Sequence, residues 1–191
     1  MSREFVAAVE AEYRRYKAYA EGAFVQLTGD QMNARPNPTS NSIAMIVWHV
    51  SGNFASRFTE FLTTDGEKSW RRREEEFAAR AVSKPDCLAK WDAGWKVVLD
   101  TLATLTDADL ATTVYIRRQP LTVRDALLRS LAHASYHVGQ IVYVAKSLRA
   151  GAWDYLSIAP GQSDAYNRDP KFEKPAEYVQ RVSGAMRAPG S

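Results

Sequence analysis

An all-α fold, a four-helix bundle with a long crossover connection and an irregular C-terminal tail, is what three features of this 191-residue chain predict. Four stretches carry apolar residues at spacings of three and four, the pattern of amphipathic helices. No stretch sustains the alternation of a sheet, and the charged, poorly periodic segment 66–83 is long enough to let the chain cross the bundle. The length suits one domain whose core needs neither disulfide nor metal to hold it together. We expect the bundle over residues 1–150 and a C-terminal extension over 151–191 packed on or beside it.

In the first helix Phe5, Val9, Tyr13, Tyr16, Ala20, Phe24 and Leu27 share a face, and Gly29, Pro36 and Pro38 close it into a loop. Ser40, Asn41 and Ser42 offer caps for a second helix, whose stripe of Ile43, Val47, Val50, Phe54, Phe58 and Phe61 ends near Asp65-Gly66. Segment 66–83 reads as a solvated connection, with a helical turn around Glu74 to Ala79. Ser83 and Pro85 open the third helix, and Leu88, Trp91, Trp95, Val98, Leu102 and Leu105 make its core face. Thr113 to Arg117 is β-prone and Gln119-Pro120 stops it, which predicts an extended loop or small hairpin. Thr122, with Asp125 three residues on, starts the fourth helix, which runs to about Arg149 before Gly151. Its stripe is Leu127, Ser130, Ala134, His137, Ile141, Val144 and Leu148. One short helix is expected in the tail, around Ala176 to Val182.

Charge and cysteine content narrow the function classes. The 25 basic and 22 acidic side chains leave +3, too little to argue for nucleic acid. The run Arg71-Arg72-Arg73 leads directly into Glu74-Glu75-Glu76 and largely neutralises itself. A single cysteine, Cys87, excludes an internal disulfide framework. The start, Met-Ser-Arg-Glu, lacks the apolar core of a signal peptide, and no apolar run approaches the ~18 residues of a membrane span. A cytoplasmic protein with no membrane and no nucleic-acid partner is the expectation.

The chain contains three histidines. His133 and His137 are four apart on the fourth helix and so share a face, with Gln140 on the same flank; His49 lies on a flank of the second helix with Asn53 and Glu60. A groove between the two helices would gather all three imidazoles. Three neutral imidazole nitrogens at about 2.0–2.1 Å form an open divalent-metal site with positions left for water or substrate. A lone histidine on an apolar helix is usually just buried and hydrogen-bonded. What favours metal here is that a bundle built without reference to the histidines brings every one of them to one locus.

The segment from Ser42 through His49 to Asn53, with His133-Ala-Ser-Tyr-His137-Val-Gly-Gln140, resembles the DinB-like superfamily of four-helix-bundle metalloproteins. One histidine early in the second helix and a His-x-x-x-His pair on the fourth are matched over about residues 1–150. Residues 63–70 and 156–163 look like a subgroup to which no function is assigned. The resemblance implies Ni²⁺ or Zn²⁺ on His49, His133 and His137 and a homodimer. It also implies a small-molecule substrate and the chemistry of thiol-dependent S-transferases, with a low-molecular-weight thiol as co-substrate.

A metal-dependent transferase would bind the thiol at the open coordination site and lower its pKa. Asn53 and Gln140 are then candidates to orient water or substrate, and Arg57, a charge on an apolar stripe, a candidate for an anion of the thiol cofactor; an ion pair with a glutamate is the plainer reading of Arg57. The alternatives are a metal-dependent hydrolase, with Glu60 as its base if the fold brings it close, and a non-catalytic metal-binding stress-response protein. Cys87, near the start of the third helix, has either a depressed pKa or an inert packing role. Phosphate-binding glycine loops, Gly-x-Ser-x-Gly, Cys-x-x-Cys and His-Glu-x-x-His are all absent.

Overall fold

The computed structural model describes residues 1–149, 151 and 153–187, with side chains as far as residue 184. These residues are mainly helical, with 63% helix in eight helices and 4% strand. The long helices are α1 (Glu4–Phe24), α3 (Ile43–Phe58), α5 (Lys84–Thr104) and α6 (Val123–Leu148), joined by the short α2 (Gly29–Asn33) and α4 (Arg73–Glu76). Ser42, Ser83 and Thr122 each accept a hydrogen bond from the backbone N–H three residues on, capping α3, α5 and α6. Each such cap contributes about 1 kcal/mol. The apolar stripe of the second helix outlasts the helix itself. Thr59 leaves helical geometry at ψ 124° and Glu60 turns left-handed at φ 51°, so Phe61 reaches the core from a turn.

Helix α3 lies along α5, α1 lies along α6, and α3 also meets α6. Where α3 crosses α5, a Cβ on Gly94 would lie 2.6 Å from Ser51 Cα. Glycine is therefore required for the two backbones to approach, and Ser51 Oγ donates to the Lys90 carbonyl at the crossing. Tyr13, Phe54 and Trp95 meet edge to face in the centre, with centroids 5.0–6.1 Å apart. This packing sets the rotation of α3 and with it the direction in which His49 points.

Most of segment 66–83 is exposed, as its charges suggest, but one ion pair within it is not. The Arg71 side chain is 2% exposed and that of Glu76 9%, because the segment lies against α3. Asn33 exchanges hydrogen bonds with the Val82 backbone, and the Arg80 guanidinium stands over the Trp48 ring at 4.6 Å. The β-prone stretch forms the small hairpin expected, with Gln119-Pro120 opening its second strand instead of stopping it. β1 (Thr113–Ile116) pairs antiparallel with β2 (Gln119–Thr122), Ile116 opposite Gln119 and Tyr115 opposite Pro120. The Tyr115 carbonyl accepts from Gly66 N–H instead of from β2, so Pro120 sits where the ladder has no use for an N–H. The turn itself is Arg117-Arg118, at φ 55° and 61°. Asn-Gly is the usual occupant of such a turn; here the Asp65 carboxylate holds it by accepting both arginine N–H groups, at 2.8 and 2.7 Å.

In the tail, α7 (Ser163–Arg168) precedes α8 (Pro175–Arg187), a longer helix than the predicted 176–182. α8 packs on α1 through Tyr178 and Val182 against Ala18 and Tyr19. Among the described residues no helix is long and apolar enough to cross a membrane.

Candidate metal centre

His49 is presented by α3, at 4% exposure, and His133 and His137 by successive turns of α6. One ring nitrogen from each lies within 4.8 Å of the other two. His49 Nε2 and His133 Nε2 are 3.2 Å apart. Two nitrogens bound at about 2.0–2.1 Å to one tetrahedral ion stand roughly 3.3–3.4 Å apart, so this spacing fits an edge of such a site.

The outer nitrogens identify which atoms face inward. His49 Nδ1 donates to Glu76 Oε2 at 2.9 Å, and His137 Nδ1 donates to Gln140 Oε1 at 2.8 Å. Both acceptors are oxygens without a proton to give, so each ring carries a hydrogen on Nδ1, and in the neutral imidazole Nε2 keeps the lone pair. That is the tautomer a metal ligand needs, fixed by a carboxylate in one case and an amide in the other. His133 Nδ1 is buried and has no hydrogen-bond partner among the described residues.

Burial pushes His133 down to about 3, helped by His137 and His49 and by the positive charges of Arg71 and Arg57. Burial also takes His137 down to about 4, against the opposing hydrogen bond to Gln140. Both are therefore neutral at pH 7, with lone pairs free to coordinate. For Glu76, burial alone would raise the carboxyl, but hydrogen bonds from Arg71 and His49 hold it below the ordinary carboxylate value. Arg71 grips it in fork geometry, Nε to Oε1 and a terminal nitrogen to Oε2, both at 2.9 Å.

Glycine makes this approach possible. A Cβ on Gly52 would lie 2.2 Å from Glu76 Oε1, so the carboxylate occupies the space where a side chain on α3 would be. Phe77, next in the chain, covers the His49 ring at 4.5 Å between centroids.

A cavity of about 190 Å³ opens beside His49 and His133, with Asn53, Phe58, Phe61 and Ser130 among its walls. Arg57, Arg71, Arg73, Arg117 and Arg129 also line it.

Of the residues expected at the site, Asn53 lines the cavity one turn from His49. Gln140 is turned to the back of His137, where its Oε1 accepts from Nδ1, and does not line the cavity. Arg57 reaches the cavity, but its guanidinium is held by the Gly66 carbonyl and Glu67, the ion pair the plainer reading foresaw. Glu60 is exposed and lines a different surface hollow, which removes it as a base. Cys87 is buried, and burial pushes its thiol up to about 12, the opposite of an activated cysteine. Sequence reasoning missed Glu76 and Arg71, since a charge run without periodicity gives no face to assign, and Gly52, whose missing side chain matters only once Glu76 packs against it. The available signal was the need of a buried histidine for an acceptor on its protonated nitrogen.

The model of a family described as "Protein of unknown function (DUF1572)" matches residues 1–162, which include the three histidines, Glu76, Gln140 and the cavity walls. No curated protein matches the chain.

Proposed function

We propose that this chain, which belongs to the DUF1572 family, is a DinB-like metalloprotein: a four-helix bundle of α1, α3, α5 and α6 in residues 1–150, carrying a catalytic divalent ion, Ni²⁺ or Zn²⁺. His49, His133 and His137 hold the ion. One observation carries the reading: two of the imidazoles are locked by Glu76 and Gln140 in the tautomer that turns Nε2 inward. Hydrogen-bonded core histidines need no such convergence of lone pairs.

The reaction class we assign is thiol-dependent S-transfer between a low-molecular-weight thiol and an electrophilic small molecule. The ion, when bound, supplies a Lewis acid that lowers the pKa of a thiol at its open position. The protein does the remaining work. Glu76, charged and clamped by Arg71, keeps His49 oriented and strengthens it as a donor. Phe58 and Phe61 give the cavity an apolar wall, and Asn53 offers it an amide one turn from His49. A hydrolase is the weaker alternative, because among the described residues no carboxylate lines the cavity to serve as base.

Elemental analysis of protein purified without an affinity tag, set beside His137→Ala, tests the site. About one equivalent of nickel or zinc is expected in the parent and little in the variant; equal content in both would sink the proposal. Loaded protein is then screened with small thiols and an electrophilic acceptor. Thioether formation that disappears in His137→Ala supports transfer, whereas acceptor hydrolysis without thiol consumption overturns it.

A further inference from the structure

Three arginines from three separate elements converge on the mouth of the cavity: Arg73 from α4, Arg117 from the hairpin turn and Arg129 from α6. We infer that they form an oxyanion subsite, so that the small molecule reaching the histidine centre carries a carboxylate or phosphate group bound chiefly by Arg129 and Arg117. The inference rests on the metal reading for what lies at the far end of the ligand, but the subsite stands on its own residues.

Charge is the first argument. The five arginines of the cavity wall are met by three carboxylates: Glu67, shared by Arg57 and Arg117; Glu76, on Arg71; and Glu74, on Arg73. The surplus of positive charge is therefore local, in a chain whose overall balance is only +3. Two of the five are committed to the scaffold: Arg71 to Glu76, and Arg57 to Glu67 and the Gly66 carbonyl. Arg117 engages Glu67 through Nε, and its side chain is half exposed. Arg129 has no hydrogen bond or ion pair among the described residues, and a guanidinium with its fork free matches a carboxylate or phosphate in bidentate geometry.

The hairpin is the second argument. Arg117 and Arg118 occupy left-handed positions that disfavour any residue with a Cβ, at a cost of roughly 1–2 kcal/mol each. Asp65 compensates by binding both backbone N–H groups, leaving the Arg117 side chain on the cavity. Strain of this kind gathers where a side chain has to be delivered to a particular place.

Size and spacing complete the description of the ligand. A volume of about 190 Å³ is below that of most drug-sized pockets, so a small molecule fits and a polymer does not. Arg129 precedes His133 by about one helical turn, so both side chains leave the same face of α6 towards the cavity. Phe58, Phe61 and Ile116 supply an apolar wall for what lies between.

The test is calorimetric titration of the full chain with inorganic phosphate and, separately, malonate, at constant ionic strength, in metal-stripped and zinc-loaded protein. Saturable one-to-one binding in both forms is expected, weakened at least tenfold in Arg129→Ala and Arg117→Ala. Arg124→Ala should bind like the parent, since Arg124 stands over Phe5, away from the cavity. Melting temperatures check that each variant folds. Stronger binding of phosphate or of malonate distinguishes the two anion classes. Absence of binding, equal loss in Arg124→Ala, or binding only when zinc is present would each overturn the subsite. Failure of the metal reading registers differently, as no zinc uptake with anion binding intact.

Discussion

Replacing Gly52 with alanine isolates the contribution of Glu76 without touching any proposed ligand. The new methyl would lie 2.2 Å from Glu76 Oε1 and 2.8 Å from its Cδ, where ordinary contacts are about 3.5–4.0 Å. The carboxylate must retreat by about 1 Å or more, and its 2.9 Å bond to His49 Nδ1 then exceeds hydrogen-bonding range. Loss of such a partner behind a ligating histidine lowers metal affinity about 10–100-fold, or roughly 1.4–2.7 kcal/mol. Alanine meanwhile favours helix α3 by about 1 kcal/mol, so weaker binding could not be blamed on a weaker helix. Glu76→Gln makes the complementary comparison. Its amide oxygen can still accept from His49, but the buried Arg71 loses its counter-charge, and breaking such a pair costs about 3–5 kcal/mol. Competition with a zinc chelator, together with urea denaturation of metal-free protein, measures both quantities. Gly52→Ala should lose more affinity and Glu76→Gln more stability. A Gly52→Ala protein with zinc affinity equal to the parent's would refute the reasoning.

Two further predictions follow from the same geometry. His133 and His137 bind protons less readily in the folded chain, at about 3 and about 4, than the ordinary 6.5 of an unfolded histidine. The unfolded state therefore takes up protons first, and metal-free stability should fall as pH drops from 7 through 6.5 towards 5, above the range where most carboxylates titrate. Urea melts across that window should show the decline and should flatten in a His133→Gln, His137→Gln double variant; a stability that rises with acid would contradict the burial of neutral imidazoles. Arg118→Gly relieves one left-handed position while leaving Arg117 in place, and should stabilise the protein by about 1 kcal/mol, a rise of roughly 2–4 °C in melting temperature. A lower melting temperature would mean that the Arg118 side chain stabilises the hairpin in a way the turn geometry does not reveal.

The long helices were legible because their causes are local. Stripes at three-and-four spacing and caps at Ser42, Ser83 and Thr122 act within a few residues of themselves, and each cap stands where the residues predicted it. The same locality put His133 and His137 on one face and allowed His49 to be matched to them across a groove. Helix ends and turns were harder to read. Phe61 continues a periodicity after the backbone has left the helix, and Arg117-Arg118 turns only because Asp65, far away in sequence, accepts both N–H groups.

What the sequence determined by itself was a mainly helical chain with three imidazoles able to meet, because side-chain direction on a helix depends on residue spacing alone. What tertiary structure decided was how those imidazoles are held and what surrounds them. Glu76 reaches His49 because α3 lacks a side chain at Gly52, Arg71 is buried because Glu76 neutralises it, and Gln140 faces the back of His137 instead of the cavity. Three arginines meet at one opening only after α4, the hairpin and α6 are packed. Each of these depends on the fit between segments that have no periodic relation to one another, and burial and charge pairing settle that fit only when the chain is folded.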